Sequence, residues 1–139
     1  MKYLLLLLLT VATSLQAQTL KARDVFQQMP DSILPYLTTT NRLDMLDFMD
    51  SHMKARIQNR FDGTSEMLSL ADDSLTIQLS SVQRMTLRLL MSDTEIDGSH
   101  QLICIERAIG NLPIMTKVVY QYFSVLWRKL DIKGVNLAN

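Results

Sequence analysis

The chain has 139 residues, with 14 basic and 14 acidic side chains and a formal charge of zero. No basic stripe is present to neutralise phosphates, so the composition speaks against nucleic-acid binding and equally against a polybasic membrane anchor. One cysteine, Cys104, allows no internal disulfide, so a fold of this length must stand on a single hydrophobic core.

The start has the form of a cleavable export signal. Lys2 supplies the positive n-region, and the apolar run from Tyr3 through Ala12 is the h-region. Ala17 then offers a small residue for cleavage. A membrane span needs roughly 18 apolar residues, and neither this run nor any later one reaches that length. The expected organisation is therefore a signal over 1–17 and one domain over 18–139, exported to the periplasm or cell envelope.

Helices come first. Gln18 to Met29 fits a short helix stopped by Pro30, and Asp31 to Leu37 a helical turn against the core. The clearest helix begins in Thr38-Thr39-Thr40-Asn41, with Asn41 and Asp44 spaced as a capping pair. Leu43, Leu46, Met49, Met53 and Ile57 form its expected apolar stripe, and Asp44, Asp47 and Asp50 another face. Lys54, four residues after Asp50, is placed for an ion pair.

From about Ala55 the period becomes two. Asp62-Gly63 signals a hairpin turn. Runs at Glu66–Leu70, Leu75–Leu79, Met85–Met91, Gln101–Arg107 and Val118–Trp127 follow, separated by turns, with a polar loop expected from Ser92 to His100. The fold class is α+β, with N-terminal helices followed by an antiparallel β-meander of about five strands.

Two runs are apolar on both sides. These are Leu102–Ile105 and Val118–Trp127, where Val118, Tyr120, Tyr122 and Leu126 face one way and Val119, Phe123, Val125 and Trp127 the other. Such strands belong between two layers, and the helices can cover only one. The expected ligand or partner face therefore carries Tyr120, Tyr122, Phe123 and Trp127, for a partner protein or an apolar ligand.

Chemistry-bearing motifs are sparse. Asp93-Thr94-Glu95-Ile96-Asp97-Gly98 opens like a calcium loop, but the twelfth position is Cys104 instead of a bidentate glutamate. His52 lies two and five residues from the helix acids, whereas helical metal ligands want three or four, and His100 flanks the acidic loop. There is no nucleophile elbow and no glycine-rich phosphate loop. Glu66 and Glu106 are a formal acid–base pair that reads better as solvated strand residues. Cys104, in an apolar run, reads as a small buried hydrophobe. No catalytic residue, metal ligand or cofactor is assigned.

The stretches Met29–Leu37, Asn41–Asp50 and Asp72–Gln78, with the aromatic Tyr122–Trp127, resemble a family of exported bacterial proteins known as domain of unknown function 3256. The resemblance spans roughly residues 24 to 130. It implies an envelope location in Gram-negative anaerobes and no assigned activity. Family members look longer beyond the aromatic strand, so the resemblance also implies a C-terminally truncated member, ending in the weakly patterned 133–139. It further makes Ser32 and Ser74, within Asp-Ser-aliphatic triplets, resemble acceptors of periplasmic O-glycosylation. The expected function is a non-catalytic binding or interaction module. The alternative is a small metal-dependent or hydrolytic enzyme using the Asp44–Asp50 face or the acidic loop.

Overall fold

A computed structural model describes residues 20–96, 99–112, 116–123 and 126–130, with side chains over 20–91, 101–112 and 116–120. The expected leader over 1–17 and the tail over 133–139 lie outside these residues.

Two helices, α1 (Ala22–Gln27) and α2 (Thr39–Asp50), precede seven strands: β1 (Ala55–Gln58), β2 (Thr64–Leu70), β3 (Ser74–Gln78), β4 (Gln83–Ile96), β5 (Ser99–Ile109), β6 (Thr116–Phe123) and β7 (Leu126–Leu130). Every neighbour in the sheet is the next strand in sequence, and every pairing is antiparallel. The meander is thus as expected, with seven strands in place of about five.

Two differences account for the count. Ala55–Gln58 pairs with β2 as a strand of its own. The run Val118–Trp127 is not one strand but parts of two: Tyr122 opposes Trp127 and Phe123 opposes Leu126 across the β6–β7 pair. The expected loop at Ser92–His100 is also largely strand. β4 continues to Ile96, β5 starts at Ser99, and Ile96 opposes Ser99 after a register shift.

The core lies between the helices and one face of the sheet. Phe26, Met29, Leu34, Leu37 and Met45 pack there on Leu75, Ile77, Met85, Leu87, Ile103 and Ile105, all buried. These strand residues alternate along β3, β4 and β5, as a half-covered sheet requires. The segment after Pro30 runs in hydrogen-bonded turns, with Leu34 N–H donating to the Pro30 carbonyl at 3.2 Å.

Helix α2 is capped three residues earlier than expected. The Thr38 hydroxyl accepts from the Asn41 N–H, and the Asn41 side-chain oxygen accepts from the Thr38 N–H, both at 3.1 Å. Its buried residues are Arg42, Met45 and Leu46, while Leu43 and Met53 of the expected stripe are exposed. Arg42 can face inward because its guanidinium donates to the Leu37 carbonyl at 3.0 Å and meets Asp31 at 3.4 Å. The helix ends with His52 in the left-handed region at φ 54°. His52 N–H donates to the Met49 carbonyl and Met53 N–H to that of Phe48, the paired bonds of a Schellman termination. Lys54 does not pair with Asp50. It lies 3.9 Å from Glu66, and Asp50 takes both guanidinium nitrogens of Arg23, at 2.7 and 3.1 Å.

Candidate functional site: the sheet face away from the helices

Antiparallel register places opposed residues on the same face. Opposite the helices, one cross-strand row reads Arg88, Cys104, Val119; the next reads Leu90, Leu102. Leu102, Cys104 and Val119 are each fully buried and form a second apolar cluster, separate from the main core, with Leu90 packed against it. Both described helices contact the sheet through β1 to β4, on the side of the main core. Strand β5 is therefore buried toward both sides, as its double apolar pattern predicts.

Polar residues border this cluster. The Thr76 and Thr86 hydroxyls meet at 3.4 Å across β3 and β4. Glu106 opposes Thr86 on one side and Lys117 on the other, and its carboxylate accepts from the Arg88 guanidinium. Only 7% of Glu106 is exposed, and a carboxylate so shielded needs such a partner. The Cys104 thiol lies 3.8 Å from the same carboxylate. Burial pushes its pKa above 9.0, against the pull of Lys117 and Arg88 in the other direction.

Of the residues expected to form a partner face, Tyr120 is half-buried on β6 and packs against the main, helix-covered core. Tyr122 and Phe123 belong to β6 and Trp127 to β7, with side chains outside the described residues. The described apolar part of the open face is instead built from Leu90, Leu102, Cys104 and Val119. Alternation at Leu102–Ile105 already pointed to it. The bordering Arg88–Glu106 pair carries no local signal, because only the β4–β5 register brings the two together.

The other candidates are spread apart. Glu66 and Glu106 stand on β2 and β5, three strands or about 14 Å apart. Glu66 is instead bound by Arg56 at 3.0 Å. Asp44 and Asp47 are exposed on α2, and Asp50 is held below the ordinary carboxylate range by the Arg23 hydrogen bonds. His52 is exposed; the His100 side chain lies outside the described residues. Asp93 to Ile96 is strand, which replaces the loop that a calcium site would require. Among the described residues, no group of three His, Cys, Asp or Glu side chains could hold a metal, and no helix is long and apolar enough to cross a membrane.

No curated protein and no solved structure gives a significant match to the chain. Residues 12–135 do match a sequence family described as protein of unknown function, DUF3256. That match covers most of the chain, including both helices and the whole meander, and the chain therefore belongs to the DUF3256 family.

Proposed function

We propose that the protein is an exported, non-catalytic binding or interaction module whose working surface is the sheet face opposite the helices. One observation carries this reading: Leu102, Cys104 and Val119 form a fully buried apolar cluster on the side that neither described helix approaches. Water is already kept from these three side chains, so the surface left for a partner is their rim, where Leu90 is half-buried and Arg88 exposed. Of the aromatic residues beyond Tyr120, Phe123 shares the strand alternation of Val119 and so falls on this face, whereas Tyr122 and the opposed Trp127 share that of Tyr120. The strongly engaged acids favour binding over catalysis. Asp31, Asp50, Glu66 and Glu106 are each engaged by an arginine. Export is supported by the form of the first 17 residues.

The test is the mass of the purified protein in solution together with its uptake of an environment-sensitive apolar dye. Self-association or saturable dye binding, either one weakened by Leu90→Asp, is the expected result. A monomer that takes up no dye overturns the reading.

A further inference from the structure

Up-and-down topology gathers alternate turns at one end of the sheet. The β1–β2, β3–β4 and β5–β6 connections all lie at the same end. Turns are ordinarily polar, yet each of these presents a large apolar side chain to solvent. Phe61 is 60% exposed, Val82 57% and Leu112 56%, with Ile109 at 46% beside them. The turns are held in place. Gly110 N–H donates to the Val82 carbonyl at 2.6 Å, and Phe61 packs edge-on against Tyr36 with ring centres 5.0 Å apart.

Cations stand just behind these tips. Arg84 is the second residue of β4 and Lys117 the second of β6, both exposed. Among the described residues neither has a carboxylate within ion-pair distance. Arg84 stands two residues of strand, roughly 7 Å, behind the turns, and Lys117, which opposes Glu106, roughly 7 Å deeper again. Arg107, half-buried between these levels, donates to the Ile33 carbonyl. Of the acids at this end, Asp31 is taken by Arg60 and Arg42, which leaves Asp62. At the opposite end Asp50 is held by Arg23 and Asp72 lies 3.9 Å from Lys21, which leaves Asp73.

We propose that the turn end of the sheet docks on a lipid surface bearing anionic headgroups, with Phe61, Val82 and Leu112 entering the apolar layer and Arg84 and Lys117 lying among the headgroups. Interfacial anchors bury apolar groups about 5–10 Å deep and keep cations at the phosphate level, the offset at which Arg84 stands, with the long Lys117 side chain below it. A protein partner fits less well. Successive tips are two strands, about 10 Å, apart, whereas a protein interface needs a contiguous patch of about 800 Å2 per side. A fluid bilayer accepts separate side chains.

The experiment is co-sedimentation of the purified protein with vesicles of phosphatidylcholine, with and without roughly 30% phosphatidylglycerol. The protein is expected to pellet with the anionic vesicles and to be released by high salt. Phe61→Ser/Val82→Ser/Leu112→Ser, all at exposed positions, should lower partitioning by about tenfold or more, and Arg84→Gln/Lys117→Gln should remove the preference for anionic lipid. A second readout is independent of the triple variant's folding. An environment-sensitive fluorophore on Leu112→Cys should shift to the blue with vesicles, while one on Met53→Cys, exposed at the far end, should not. Failure to pellet, equal response of the two labels, or self-association lost in the triple variant without lipid binding would each overturn the proposal. The Leu90→Asp variant bears on the sheet face alone, so the two surfaces fail or survive separately.

Discussion

Asn59 and Ser65 lock the first hairpin from the inside. The Asn59 amide donates to the Ser65 hydroxyl at 2.9 Å, and both groups also donate to the Leu79 carbonyl, at 3.1 and 2.6 Å. The Asn59 side-chain oxygen accepts from Phe61 N–H at 2.9 Å and Gly63 N–H at 3.2 Å, which turns the chain while Asp62 takes a positive φ of 61°. Both side chains are buried, so these bonds do not compete with water. Asn59→Ala leaves the Phe61 and Gly63 N–H groups without their side-chain acceptor and removes one donor to the Ser65 hydroxyl, which keeps its bond to the Leu79 carbonyl. It should cost about 2–4 kcal/mol and lower the melting temperature by roughly 10 °C. Calorimetry checks it; a shift of only a degree or two would show that the turn holds without the amide.

Asp31 joins the loop after Pro30 to β1 and α2. Its carboxylate meets Arg60 at 3.0 Å and Arg42 at 3.4 Å. The Arg60 hydrogen bond is the largest influence on its pKa, and together with that of Arg42 it outweighs the upward push of desolvation and holds the pKa below the ordinary 3.8. A carboxylate with a depressed folded-state pKa stabilises the fold above its unfolded value and loses that contribution as pH falls through the folded one. Wild type should therefore melt above Asp31→Asn at pH 6, and the gap should close as the pH falls below 3.8. A gap that persists in strong acid would mean that the ion pairs contribute nothing and packing sets the difference.

Much of the fold was legible because period-two alternation is local. Leu75 and Ile77, Met85 and Leu87, and the four consecutive apolar residues Leu102–Ile105 fall where their patterns put them. The misreadings share one cause, which is that a distant partner decided between locally equal choices. Four successive residues can cap α2, and the choice of Thr38 goes with an inward Arg42, whose partners Leu37 and Asp31 lie in the preceding segment. The acidic stretch after Met91 reads as loop by composition, yet β4 extends through it to Ile96, which opposes Ser99 of β5. At the break between β6 and β7 the sequence is Ser124-Val125, without the Gly, Asn or Asp that marks a two-residue turn.

Thr38→Ala tests the revised cap. It removes the hydroxyl that accepts from Asn41 N–H and should cost about 1 kcal/mol, within the usual range for lost helix caps. Asn41→Ala, which removes the reciprocal acceptor for Thr38 N–H, should also destabilise the helix start. The double variant should cost less than the sum, because each bond orders the other partner. Chemical denaturation of the four proteins completes the cycle. Full additivity would mean that the two bonds act independently.

Cys104 reports on the second apolar cluster without perturbing it. Its thiol is fully buried among Leu102, Val119 and Leu90, and burial raises its pKa above 9.0. Two effects then suppress its reaction with a disulfide reagent. The thiolate fraction near pH 8 falls, and the reagent must wait for the sheet to open. Native protein should react at least roughly a hundredfold more slowly than protein in denaturant. Because the cluster lies on the face opposite the helices, Leu90→Asp should accelerate labelling of Cys104 more than it lowers global stability. A change of equal size in Phe26→Ala, a core variant on the helix side, would instead mean that the thiol becomes accessible only when the entire domain unfolds. Measuring both rates against denaturant separates local opening of the open face from global unfolding.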